Sequence, residues 1–515
     1  MNNEIKINPW LIAVAVIVPT FMEVLDTSIV SVSLPHIAGN LAASNTEATW
    51  VQTSYLISNA VVLPASAWFS SFFGRKRFLL GCIGLFTLAS AACGVSNSLG
   101  MLIVARIVQG AGGGALQPLS QAILLESFPP AKRGAAMAAY GLGVIIAPVA
   151  GPVLGGWITD QYSWRWLFYI NLPMGLLGLW MVQKFVFDPD YIRAAKPGKI
   201  DSIGLGLLTV WLGTMQTVLD KGQDADWFGS EWIRWFSFIS AVAFVGFVVW
   251  ELRTREPIAQ LRVFKDRNFA AGTVLISVAA VMAYGPLTLL PMFLQELMNY
   301  TAFQSGLAQM SRGLGCVLAL PILGFIIGKV DDRRTIAFGF FAAGASAMMF
   351  GSLNLLFAPE QIFWPNFVQG IGISSCMTPL MTVALGTLKN EQMGNATGLF
   401  ALARNLAGSI GISMVTTMAT RSAQAHQALL VHCVTPYDPA FQTAVQTTQA
   451  ALASHLGSAQ AQTGALSQIY QQLVQQSNLL AYLDDYRRLG IMCFIALPLV
   501  VLLKRVAVKG TVALH

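Results

Sequence analysis

The chain has 515 residues, 55% of them hydrophobic and only 11% charged, with a mean hydropathy of +0.61 and a net charge of +7. A soluble domain carries about 25% charged residues, so the composition excludes an ordinary water-soluble protein and places this chain in a membrane. Apolar runs long enough to cross a bilayer are expected near 10–33, 48–73, 78–96, 99–125, 134–158, 165–187 and 202–220. They continue near 232–251, 268–294, 304–328, 335–354, 361–387, 394–419 and 488–505, fourteen in all. The first has no small-residue cleavage site and runs directly into the second, so it reads as retained and not as a signal peptide.

Basic residues set the orientation. Arg75-Lys76-Arg77, Lys132-Arg133, Arg193 to Lys199, Arg253 to Arg267, Lys329 to Arg334, Lys389 and Lys504-Arg505 fall on one side if there are fourteen spans. That side is expected to be cytoplasmic, with both termini inside. The net charge is then a topology signal, and no nucleic-acid partner is needed to explain it. Five of the six cysteines lie in spans and Cys433 outside them, which implies neither a disulfide framework nor a metal site.

The fifth span carries Gly143, Ala147, Pro148, Gly151, Pro152, Gly155 and Gly156. In lipid it stays helical, because unsatisfied backbone groups are costly there, and it is expected to bend where the prolines remove hydrogen bonds. The spacing by four of Gly143, Ala147, Gly151 and Gly155 makes a groove for close helix packing. A sharper reading puts this kinked, tightly packed helix at the interface of two moving halves.

The halves of the chain echo one another. Arg106-Ile-Val-Gln109-Gly110 has a counterpart in Asn366-Phe-Val-Gln369-Gly370, offset by about 260 residues. The offset leaves room for two extra spans between six-span repeats. The expected domains are therefore a six-helix bundle over 1–190, two inserted helices over 191–260 and a second bundle over 261–515. Repeats around a central cavity are the architecture of rocking transporters.

Charges inside spans are costly and mark function. Asp26 lies about 24 Å into the first span from the basic side, and Arg106 about 10 Å into the fourth from the other. In a core about 30 Å thick the two reach similar depths. Asp26 is the expected coupling-proton site, tuned by Arg106. Burial favours its neutral acid, and a neighbouring guanidinium favours its carboxylate. A static structural pair is the alternative. Glu23, three residues earlier on the same face, shares the proton or meets a cationic substrate. Arg404 belongs to the cavity of the second half. Glu296 ends the ninth span, and Glu126 reads as a boundary charge near Lys132 and Arg133. Gln52, Tyr55, Asn59, Gln117, Gln121, Tyr284, Gln295, Asn366 and Asn405 are the polar candidates for a largely apolar substrate cavity. Each could equally bridge helices.

Several of these segments resemble the fourteen-helix drug:proton antiporters of the major facilitator superfamily, and within them the EmrB-type exporters of Gram-negative bacteria. Leu25 to Pro35 resembles the first-helix signature, Leu102 to Ala115 the fourth-helix motif around an arginine, and Gly143 to Gly156 the fifth-helix antiporter motif. Leu294-Gln295-Glu296 and Arg404 to Gly411 also resemble EmrB-type segments. The loop motif at Gly74, Arg75 and Lys76 departs from the family: Ser71 stands where an acid is usual and Ala67 where a glycine is. The gating lock ascribed to that motif is therefore in doubt, and these basic residues read as topology signals.

The resemblance implies an all-α major facilitator fold, two six-helix bundles plus two inserted helices, in the inner membrane. It implies proton-driven efflux of amphipathic compounds, with the proton as coupling ion and no other cofactor. It also implies a periplasmic adaptor and an outer-membrane channel as partners. The Ala- and Gln-rich segment 421–486 is expected on the outer side as a pair of amphipathic helices that dock the adaptor, a disordered polar loop being the alternative. Rival readings are a proton-coupled importer and a non-transport receptor. The Gly-Pro helix weighs against the first by family analogy, and paired halves with buried charges weigh against the second. No nucleotide loop, metal cluster or nucleophile–base pattern suggests an enzyme.

Overall fold

The computed structural model describes residues 8–129, 132–188, 201–254, 257–326, 330–354, 359–388, 390–432, 434–435, 437–456 and 458–504. The first six spanning elements are α1 (Pro9–Val32), α2 (Trp50–Phe73), α3 (Arg75–Gly94), α4 (Leu99–Ser127, interrupted at Gly114-Ala115), α5 (Arg133–Gln161) and α6 (Asn171–Phe185). The inserted pair is α7 (Ser202–Lys221) and α8 (Glu231–Arg253). The second half comprises α9 (Arg267–Met292), α10 (Ala302–Ile326), α11 (Asp332–Phe350), α12 (Pro359–Leu385), α13 (Asn390–Val431), α14 (Pro439–Leu456) and α15 (Ser458–Ala496). Eleven described helices are long and apolar enough to cross a membrane. α2, α11 and the end of α15 occupy the three remaining expected places. The basic runs 193–199 and 255–256, Lys329, Lys389, Arg505 and Cys433 lie outside the described residues.

Segment ends follow local chemistry. Asn8 caps α1 through its side chain, with Pro9 in the first turn, and Asp201, Asp266 and Asp331 accept from the first turns of α7, α9 and α11. Gly74 turns the chain between α2 and α3 at φ 84°, a region that favours glycine.

The apolar core is organised by depth. At the end of the bundle where the basic loops lie, one continuous core joins both halves: Leu119, Phe128 and Tyr140 with Phe269, Leu380, Met393 and Phe400. At the outer end, opposite those loops, the core is divided. Ile29, Leu102, Ile158 and Phe168 form one cluster in the first half, and Leu289, Phe293, Phe350 and Tyr486 another in the second. Close contact between halves runs along α5 and α10, where Ala138 meets Leu320 and Leu323. Gly398 of α13 also comes against Leu63 and Pro64 of α2. The bundle is closed at the basic end and split at the outer end.

The described residues of segment 421–486 are mostly helical. They comprise the end of α13, α14 and about the first three-quarters of α15. A stripe spaced by four, Ala461, Ala465, Leu473 and Ser477, is buried, as an amphipathic helix requires. The last span is not a separate helix: α15 continues without a break from this outer region into the membrane and ends in a tighter turn over Leu497–Leu502.

Candidate functional site

The glycine groove of α5 is a packing surface, and its partner is α1. A Cβ on Gly143 would lie 2.8 Å from Ile17, on Gly151 2.5 Å from the Ser28 hydroxyl, and on Gly155 2.8 Å from the Ile29 carbonyl. The groove itself serves close helix packing within the first half. α5 does stand between the halves, but it reaches α10 with Ala138 and Leu142, on another face. Pro152 has no N–H to give to the carbonyl four residues back, so the Pro148 carbonyl is free to accept from Ser28 Oγ at 3.1 Å. Gly156 faces open space. The Gly151→Leu protein should therefore lose about 1–3 kcal/mol by overpacking, read as a lower melting temperature and lost transport, while Gly156→Leu leaves both unchanged.

Asp26 and Arg106 form a fully buried ion pair, Nη1 to Oδ2 at 2.5 Å with both side chains at 0% exposure. Further hydrogen bonds surround the pair, although Arg106 Nη2 is buried without a hydrogen-bond partner among the described residues. Gln109 Nε2 and Asn171 Nδ2 donate to Asp26 Oδ1 at 2.9 and 2.7 Å. Arg106 also donates to Gln109 Oε1 at 2.8 Å and to the Val51 carbonyl at 3.0 Å, and its guanidinium stands 4.1 Å from the centre of the Tyr55 ring. Ser90 backs the cluster by accepting from Asn171 at 3.0 Å. One bond in this set was legible: Gln109 follows Arg106 by three residues and shares its face. Asn171 and Ser90 carried no such signal.

Glu23, one turn earlier on α1, is in a different situation. It is 4% exposed and accepts only from neutral donors: Gln117 Nε2 at 2.8 Å, Asn59 Nδ2 at 3.1 Å and Tyr55 Oη at 3.3 Å. Gln117 in turn accepts from Arg404 Nη2 on α13. Glu23, Gln117 and Arg404 thus make a hydrogen-bonded chain from the first half to the second. The structure gathers Glu23, Tyr55, Asn59, Gln117 and Arg404 into one site, near the level where the shared core divides. Gln121 is adjacent through Tyr140, whose hydroxyl accepts from it at 3.3 Å; the sequence reading passed over Tyr140.

Other candidates fall elsewhere. Gln52 is half-buried, beside Val51. Asn405 is half-buried next to Arg404, and the Tyr284 ring packs where a Cβ on Gly408 would stand. Gln295 is exposed in a wide turn, Phe293–Leu297, at the outer end of α9; the side chains of Glu296 and Pro152 lie outside the described residues. Asn366 is buried in the second half and accepts from Arg312 Nη2 at 3.3 Å. Arg312 is itself 5% exposed and makes no ion pair among the described residues, a buried charge that the sequence reading missed. The two matching segments make parallel contacts. Gly110 packs on the Tyr55 carbonyl and Gly370 on the Arg312 carbonyl, so Arg312 holds in the second half the place that Tyr55 holds in the first.

The loop residues also depart from expectation. Arg75 is not merely a topology signal: it is buried and paired with Glu126 at 2.5 Å, tying α3 to the end of α4. The Lys76 amide donates to Asp188 Oδ1 at 2.7 Å, so Asp188 supplies the negative charge that suits a helix N-terminus. The acid absent at Ser71 is thus met by two acids from other elements, Glu126 and Asp188.

Two helical halves closed at one end, with polar and charged groups chained across their interface, are the architecture of a membrane transporter. The chain belongs to the Major Facilitator Superfamily, whose model matches residues 16–412; it is a multi-pass membrane transporter and not an enzyme. It is 40% identical over 433 residues to the multidrug export protein EmrB of Escherichia coli (strain K12), covering 83% of this chain and 84% of that one. It is 35% identical to the fatty acid resistance protein FarB of Neisseria gonorrhoeae, over 94% of each chain. Among solved structures, the proton:xylose symporter XylE has a similar fold, with a TM-score of 0.61, 13% identity and coverage of 95% of this chain and 94% of that one.

Proposed function

We propose that the protein exports amphipathic or hydrophobic toxic compounds across the bacterial inner membrane, driven by protons moving inward. The observation that carries this reading is the Glu23–Gln117–Arg404 chain across the interface of the halves. Glu23 bonds only neutral groups directly, with the Arg404 guanidinium held one hydrogen bond further off by Gln117, so it can gain or lose a proton without breaking a direct ion pair. Asp26 cannot, because Arg106 depends on it. In this reading Glu23 carries the coupling proton and the Asp26–Arg106 pair holds α1, α4 and α6 in register. The named relatives support drug or fatty-acid export. The basic loops support a cytoplasmic placement of the closed end, which makes the present state outward-facing.

Proteoliposomes test this reading directly. Adding a transported compound to one side should release protons on that same side, in proportion to its uptake. Transport unaffected by collapsing the pH gradient would remove proton coupling. Cationic, neutral and anionic compounds tried in turn define the substrate class.

The outer helical region is proposed to dock a periplasmic adaptor that leads to an outer-membrane channel. Exposed Leu429, Val431, Tyr437, Leu466 and Tyr470 near its tip support this. Replacing α14 by a short Gly/Ser linker should abolish whole-cell resistance while leaving proton-driven transport in vesicles near normal. Equal loss in both assays would assign the region to folding instead.

A further inference from the structure

The inserted pair is fastened to the bundle along α2, where Thr53 Oγ1 donates to Asp220 Oδ2 at 2.6 Å and Lys221 bonds Thr49. Against α13 its contact is sparser, and a cavity of about 710 Å³ opens between them. One face of α13 forms the long wall: Ile410, Met414, Thr417, Met418 and Arg421, spaced by threes and fours. Leu219 of α7 and Trp227 close the other side, and Arg488 of α15 joins Arg421 at the outer end.

From Ile410 to Arg421 the helix rises about 16 Å, roughly half of a hydrocarbon core about 30 Å thick. The cavity is therefore one leaflet deep, mostly apolar along its length apart from the Ser413 and Thr417 hydroxyls, and cationic at its outer mouth. Arg488 is steadied there by Ser422 and Asp485, each at 2.9 Å, with its side chain 43% exposed. Arg421 is exposed and makes no hydrogen bond or ion pair among the described residues. A second cavity of about 260 Å³ lies between α7 and α8, lined by Met215, Val218 and Phe244, and shares Leu219 with the first. Neither belongs to the transport path. Arg404, which faces the first half, is about 120° around α13 from Ile410.

We propose that this gap is a seat for an anionic phospholipid of the outer leaflet. One acyl chain lies along the α13 wall and the other crosses Leu219 into the smaller cavity. The headgroup phosphate sits between Arg421 and Arg488, whose planar guanidinium groups suit two-point contact with phosphate oxygens. The lipid fills the joint between the inserted helices and the second half, where the protein supplies little packing of its own.

Native mass spectrometry of the detergent-purified full chain tests the seat. The probes are phosphatidylglycerol, phosphatidylcholine with the same acyl chains, and oleate. Phosphatidylglycerol should be retained about tenfold better than phosphatidylcholine. Arg421→Gln should cut that preference about fivefold, as expected for one interfacial arginine, and the Arg421→Gln/Arg488→Gln protein should show none. Thr417→Trp, which plugs the wall, should displace both phospholipids. Equal retention of the two phospholipids, a preference that survives in the double variant, or oleate displacing phosphatidylglycerol at equal concentration would overturn the proposal. No gradient is applied, so these outcomes are independent of the efflux reading.

Discussion

Glu23→Gln protein is expected to insert, fold and bind substrate, yet to stop concentrating it, with proton-driven transport falling to the level of vesicles without protein. The substitution keeps the shape of the side chain and can still bond Gln117, Asn59 and Tyr55. It removes the one thing an amide cannot do, which is exchange a proton in this pH range. Downhill exchange of substrate should persist, because the halves still rock. Glu23→Asp retains the chemistry but shortens the reach, and should transport partially. The measurement is substrate accumulation against an imposed pH gradient, beside binding at equilibrium. A Glu23→Gln protein that still accumulates substrate would return the coupling proton to Asp26.

The second large effect concerns stability. Removing one partner of a buried ion pair leaves the other charge uncompensated and costs about 3–5 kcal/mol. Asp26→Asn and Arg106→Gln should each show this cost as a fall in melting temperature in detergent and as poor yield. The Asp26→Asn/Arg106→Gln double protein should recover most of it, since no charge is stranded. Such non-additivity between contacting residues is the signature of a pair that acts as a unit. An Asp26→Asn protein of normal stability but without coupling would place Asp26 in the proton path and not in the framework.

Most of the spans and the pairing of Asp26 with Arg106 were legible because lipid imposes strict length and charge rules on sequence. What could not be read was the identity of distant partners. Asn171 reaches Asp26 from 145 residues away, and nothing local distinguishes it from an asparagine at a helix end. The groove of α5 was plain, but its spacing says only that something packs closely there, and that something proved to be α1. Arg75 read as a topology signal because the family's usual acid was missing nearby, while Glu126 lay 51 residues on. Arg312 was passed over inside an otherwise apolar span, although the cost of burying it should have singled it out.

The two long helices of the second half have a mechanical consequence. α13 has 42 residues and α15 has 39, and neither breaks between the membrane and the outer region. Beyond the bilayer they are cross-braced: His426 to Asp484 at 2.9 Å and Gln427 to Tyr470 at 3.1 Å. The pair behaves as a rigid mast stepped in the moving half. With the start of α15 about 57 Å from its membrane end, a tilt of about 10° sweeps the tip sideways by about 10 Å. In the proposed rocking cycle, each turn would thus be geared up into a stroke outside the membrane, large enough for anything resting on the tip to feel which way the transporter is open.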